Sequence, residues 1–179
     1  MMKEKTLKTI PVYHSDFLTI VEDEVLLPNH QTSKRIVVKH SGASAILPIT
    51  KDGHIILVKQ YRHPIQKVTL EVPAGKLDED EDPLLCALRE CEEEAQVRPS
   101  KTKLIYSIHN CLGYSDEVIH LYIGYDAEKV LKPLEKDPDE YFEILSYTKK
   151  EVQALLHTKH ITDAKTIILL QHYFDEIQV

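Results

Sequence analysis

Residues 82–97, DPLLCALRECEEEAQV, constrain the fold more than any other stretch. Asp82 followed by Pro83 is a helix start, with a carboxylate as N-cap and proline at the first helical position. Leu84, Leu88, Cys91 and Ala95 then recur on one stripe of the helical period, so the spacing predicts a helix packed along one face. On such a helix Glu90 and Glu94 stand side by side at the flank of the stripe, with Glu93 further round. Like charges one turn apart repel by about 0.2–0.5 kcal/mol per pair. No lysine is interleaved among Glu90, Glu92, Glu93 and Glu94. Something outside the helix has to offset them.

This helix interrupts a run of short strands. KRIVVKH (34–40), ASAILPIT (43–50), HIILVKQY (54–61) and KVTLEVP (67–73) precede it, rich in Ile and Val and separated by turn residues. Lys51-Asp52-Gly53 is a hairpin-type turn in which Gly53 can take positive φ. KLIYSIHN (103–110), EVIHLYIGYD (117–126) and YFEILSY (141–147) follow. Helices at about 149–157 and 163–176 close the chain, the second capped by Thr162 or Asp163. Before residue 34, patches such as FLTIVEDEVLL read as an N-terminal β extension. The order of elements implies an α+β sandwich around a mixed sheet.

At 179 residues the chain suits one domain with a small extension. A formal charge of −7 argues against a nucleic-acid binder, which would carry a basic face. No apolar run reaches the length of a membrane span, and the N-terminus has no basic region followed by an apolar stretch. Three cysteines without CxxC spacing point to reduced thiols, a cytoplasmic protein, and neither a disulfide framework nor a zinc site. A small anionic substrate stays open, because a metal ion can invert the potential of an acidic site.

Gly75, Glu81 and Arg89-Glu90-Cys91-Glu92-Glu93-Glu94-Ala95-Gln96-Val97 together resemble the Nudix box, G-x5-E-x7-R-E-U-x-E-E-x-G-U, with U apolar. Every charged position is met. Gln96 departs, standing where the family has glycine just past the helix end. Glutamine there would either take a left-handed conformation at a cost of order 1 kcal/mol or shift the helix end slightly. LEVPAGK (70–76), VKQYRHP (58–64), GYSDE (113–117) and TDAKTI (162–167) are similar to the ADP-ribose pyrophosphatase branch. Leu112 replaces the proline that usually marks that branch.

The resemblance implies a Nudix-type α/β/α sandwich over residues 41–179, with residues 1–40 as a β extension that pairs subunits into a homodimer. It implies Mg²⁺, with Mn²⁺ as a substitute, bound by Glu90, Glu93, Glu94 and the backbone carbonyl of Ala74. Such hard ions favour carboxylate oxygens. Glu93 also has a catalytic part, and Arg89 orients the acids. Arg62 would bind substrate phosphate or ribose, with Glu71 and Glu117 as further substrate-side candidates. The water-activating base is expected from the acidic loop EKDPDE, with Glu140 ahead of Glu135 and Asp139, although Glu90 or Glu93 could also serve.

A charge run is usually a solvated helix face, but this one reproduces the spacing of a whole motif. Asp78 to Asp82 reads as a polar loop in which Glu81 alone matches the pattern. Cys86 and Cys91 read as packing residues. The implied activity is hydrolysis of ADP-ribose to AMP and ribose 5-phosphate. Alternatives are another nucleotide sugar, a dinucleotide, or a module that senses a nucleotide without cleaving it.

Overall fold

Ala43–Thr50 (β4) is apolar at nearly every position, because both its faces are covered. Along it, Ala45, Leu47 and Ile49 point to one cluster while Ile46 points to another. Ile55–Arg62 (β5) and Ile119–Lys129 (β10) alternate in the same way: Ile55, Leu57, Leu121 and Ile123 on one side, Ile56 and Tyr122 on the other. The first side packs Lys149–His157 (α2) and Ala164–Glu176 (α3) through Val152, Leu169, Leu170 and Tyr173. The second packs Pro83–Ala95 (α1) through Ala87, Cys91 and Ala95. This is the α+β sandwich expected from the sequence.

The computed structural model describes residues 2–15, 18–135 and 141–177. The chain divides into two units: residues 1–42 with 109–118, and residues 43–108 with 119–179. In the second unit the sheet runs Phe142–Tyr147 (β11), β5, β4, β10 and Val97–Arg98 (β8). Lys67–Glu71 (β6) adds to β5, Ala74–Lys76 (β7) to β4, and Lys101–Ile108 (β9) to β10. The β4–β10 pair is parallel and the others are antiparallel, so the sheet is mixed. Gly53, with φ +83°, closes the turn between β4 and β5, its N–H donating to Thr50 O at 2.9 Å.

The first unit is an antiparallel sheet of Lys5–His14 (β1), Thr19–Leu26 (β2) and Thr32–Lys39 (β3). Val21 and Val25 are its buried apolar side chains, and β1 is exposed along its whole length. The turn-like segment 109–118 joins this unit by Val38 N–H donating to Tyr114 O at 2.7 Å and His40 N–H to Asp116 Oδ1 at 3.0 Å. Among the described residues no helix is long and apolar enough to cross a membrane.

Candidate active site

Asp82 caps α1 by accepting from the N–H groups of Leu84 and Leu85 at 2.9 and 3.3 Å, and Pro83 occupies the first helical position. The buried stripe is built of small side chains: Ala87, Cys91 and Ala95 are buried, while Leu84 and Leu88 are half-buried. Acids flanking a stripe that lies so close to the sheet are carried inward. Glu90 and Glu94 are only 7% and 3% exposed. They also sit toward the negative end of the helix dipole, which adds to their mutual repulsion. Glu92 lies about 200° round the helix from each of them and pairs elsewhere, with Arg98 at 3.1 Å.

Arg89 supplies the local compensation. Its Nε and Nη2 each donate to Glu81 at 2.9 Å, and its Nη1 donates to Glu90 Oε1 at 2.7 Å and Glu93 Oε2 at 3.1 Å. Nη2 also reaches Lys76 O at 3.2 Å, which ties the cluster to β7. Hydrogen bonds from Arg89 hold the Glu81 carboxyl well below the usual carboxylate range, at about 2. Burial, together with the Glu81 charge, pushes the Cys86 thiol up to about 12, so Cys86 stays a neutral packing residue.

Gly75 makes room for this arrangement. A Cβ at residue 75 would fall 1.8 Å from Glu90 Oε1, so any side chain there would displace the carboxylate that Arg89 holds. Ala74 N–H donates to Glu94 Oε2 at 2.9 Å. The backbone at Ala74–Gly75 therefore receives both acids. Glu90, Glu93, Glu94 and the Ala74 carbonyl are all hard oxygen donors, a set that suits a hard divalent cation rather than a thiophilic one. Among the described residues no three His, Cys, Asp or Glu side chains already form a coordination shell. Instead Glu90 and Glu93 are turned toward Arg89, and Glu94 toward the Ala74 N–H.

A second charged cluster lies in the same unit. Arg62 Nε and Nη2 donate to the two oxygens of Glu71 at 2.9 and 2.7 Å, and Lys165 Nζ donates to Glu71 Oε2 at 2.6 Å. Burial works to raise the Glu71 carboxyl, but the bonds and charges of Arg62 and Lys165 outweigh it and hold the group at about 2. The hydrogen bond to Glu71 raises the Arg62 guanidinium above its ordinary value, and the charges of Glu94 and Asp163 act in the same direction. Glu94 thus links the two clusters electrostatically.

At the C-terminal end of α1 a cleft of about 430 Å³ is lined by Glu93, Gln96, Glu135, Phe142 and Ile144 among others, a volume within the range of small-ligand sites. Gln96 takes the left-handed conformation that the family's glycine would, with φ 56° and ψ 28°, and its N–H closes the helix on Glu92 O.

The structure thus brings together Ala74, Arg89, Glu90, Glu93 and Glu94, and separately pairs Arg62 with Glu71. Glu135 shares a cleft with Glu93. Glu140 and Asp139 lie outside the described residues. Glu117 belongs to the first unit, where its carboxylate faces His40 Nδ1 at 3.6 Å. Sequence reasoning gave no role to Lys165, although the TDAKTI stretch that holds it stood out. Nor did it foresee that Glu71 would be buried beneath Arg62.

A NUDIX domain model matches residues 38–170. An ADP-ribose pyrophosphatase of Bacillus subtilis (strain 168) is 34% identical over 171 residues, covering 96% of this chain and 92% of that protein. A methanol dehydrogenase activator of Bacillus methanolicus is 38% identical over 172 residues, covering 96% and 93%. The crystal structure of an ADP compounds hydrolase superposes with a TM-score of 0.82 at 19% identity, covering 98% of this chain and 95% of that one, which shows a shared fold.

Proposed function

The chain belongs to the Nudix hydrolase family, and from that premise we propose that it cleaves ADP-ribose, or a related nucleoside diphosphate sugar, to AMP and ribose 5-phosphate. The observation that carries this reading is the convergence of Glu90 and Glu94, both buried, on the Ala74–Gly75 backbone. Two hard carboxylates brought to one stretch of backbone are the kind of donor set that holds a hard divalent cation.

Nudix hydrolases generally use divalent metal ions. In this chain Glu90, Glu93, Glu94 and the Ala74 carbonyl would hold Mg²⁺, or Mn²⁺ in its place. Bound there, the ion supplies positive charge to the phosphate oxygens and lowers the pKa of bound water. Arg89 keeps the carboxylates from swinging into solvent, and Gly75 leaves them room. Arg62 turns the guanidinium edge not bonded to Glu71 toward the diphosphate, and Glu71 supports Arg62 rather than meeting the substrate itself. Glu117 remains a substrate-side candidate by resemblance alone.

Water attacks one phosphorus, the bridging P–O bond breaks, and a carboxylate of the acidic loop takes the proton. Glu140 is the choice by resemblance. Glu135, which shares the cleft with Glu93, is the alternative.

The β extension would pair subunits into a homodimer, consistent with the exposed Leu7, Ile10, Val12 and Tyr13 on β1. Reduced thiols fit a cytoplasmic location. A second reading rests on the relative that is 38% identical and is named a methanol dehydrogenase activator: the chain modulates a dehydrogenase, and adding it to an alcohol dehydrogenase assay would raise the rate.

The test is incubation with Mg²⁺ and ADP-ribose, GDP-mannose, ADP-glucose, NADH or diadenosine polyphosphates, with products separated by ion exchange. AMP release from ADP-ribose should dominate and fall by about 10³-fold in Glu94→Gln, the scale of losing a group that stabilises developing charge. A different preferred substrate would keep the chemistry and move the specificity. Tight binding without turnover would leave a nucleotide sensor.

A further inference from the structure

Lys165 is one of three residues of TDAKTI, with Asp163 and Thr166, that anchor the start of α3, and its side chain is buried. That side chain is only 10% exposed, with Nζ 2.6 Å from Glu71 Oε2 and 3.0 Å from Asp163 Oδ1. Asp163 also caps α3, accepting from Thr166 N–H at 3.0 Å, and the Thr166 hydroxyl accepts from Val72 N–H at 2.9 Å. Thus the first turn of α3 is tied to the end of β6 at two successive residues, Glu71 by its side chain and Val72 by its backbone.

The Glu71 carboxylate is correspondingly over-determined. Oε1 accepts from Arg62 Nε at 2.9 Å and the Thr69 hydroxyl at 2.6 Å, and Oε2 accepts from Arg62 Nη2 at 2.7 Å and Lys165 Nζ at 2.6 Å. With four donors on two oxygens, rotation of the carboxylate would break bonds on both sides. Exposure runs the other way: the Arg62 side chain is 41% exposed while that of Glu71 is 3%. One end of this chain of charges is sealed and the other is open. If the sealed end served packing alone, apolar side chains of similar volume would be at least as stable. Charge there gains orientation instead.

We infer that Lys165 is a positioning residue for the substrate-binding arginine: buried against Glu71, it fixes the carboxylate that in turn aims Arg62 at the diphosphate. The inference rests on the proposed function for the role of Arg62. Lys165 touches no substrate and acts only through Glu71. Its loss leaves Glu71 with a single cation and lets the Arg62–Glu71 pair swing as a unit. Binding of the diphosphate weakens while the chemical step, which uses the α1 acids and the base of the acidic loop, is spared.

The experiment is a double-mutant cycle on the full chain, with ADP-ribose and Mg²⁺, of Lys165→Met and Arg62→Ala. Lys165→Met should raise KM about tenfold and leave kcat within about twofold, the pattern of lost uniform binding. In the Arg62→Ala background it should change KM by less than about twofold, because residues acting as one unit are not additive. An unchanged KM, or an equal rise in both backgrounds, overturns the inference. An independent readout is the Arg62 Nε–H resonance of ¹⁵N-labelled protein: slowly exchanging in the wild type, and lost or fast-exchanging in Lys165→Met. Persistence of the slow resonance overturns the inference. Lys165→Gln carries the same comparisons if Lys165→Met does not fold. Should the wild type hydrolyse none of the nucleotides, the proposed function fails, and the Arg62 resonance still decides the role of Lys165.

Discussion

Two clusters in the same unit solve opposite problems. Around Arg89, one cation serves three carboxylates: Glu81, Glu90 and Glu93. Around Glu71, one carboxylate is held by two cations, and the second of these, Lys165, is paired again with Asp163. The first cluster therefore gathers three carboxylates on one guanidinium, and the second closes two cations on two carboxylates. A gathering of hard carboxylate oxygens suits a divalent cation. A balanced network gains nothing from one and serves to hold a side chain still. The difference separates a site that binds from a scaffold that aims.

The largest effect is expected from removing the guanidinium that three carboxylates share. Arg89→Met should destabilise the fold by about 3 kcal/mol in metal-free buffer, since it strands buried charge. Millimolar Mg²⁺ or Mn²⁺ should restore part of the loss, measured as Tm by circular dichroism. Lys165→Met, on the balanced side, should show no such rescue. Equal rescue of both variants would erase the distinction.

Acid titration sharpens it further. Glu81 and Glu71 both sit at about 2, below the usual 4.5, so the folded state binds their protons less readily than the unfolded chain does. Their stabilisation is complete above pH 4.5 and is lost as pH falls from there toward about 2. Glu81→Gln should remove one share of that acid sensitivity and leave the Glu71 share, seen as a shallower fall of Tm with pH. An unchanged slope would mean that Arg89 does not hold Glu81 as described.

The smallest effect concerns the end of α1. Gln96→Gly should stabilise the protein by about 1 kcal/mol by relieving a left-handed residue, measured by urea unfolding. A loss of stability would show that the Gln96 side chain contributes more than its backbone costs.

Much of this was legible in the linear chain. Local signals placed the longer strands from residue 34 onward within a few residues and the start of α1 at Asp82, because caps, turns and periodicity are properties of neighbouring residues. They missed the short β7 and β8 and set no bounds for β1 and β2. Motif spacing singled out Glu90, Glu93 and Glu94, and of the two outcomes open to Gln96 just past the helix the structure takes the left-handed one. Glu71, Arg62 and Lys165 were each visible, but their union was not. Lys165 is separated from Glu71 by 94 positions and meets it only when α3 packs against the end of β6. The contact of Glu90 with the space above Gly75 is likewise a matter of α1 lying close to β7. Which elements form, and which acids share a helical face, can be read from the linear chain because both depend on spacing along one backbone. Which charges are buried together is set by packing, because burial and pairing depend on distances that no local rule encodes.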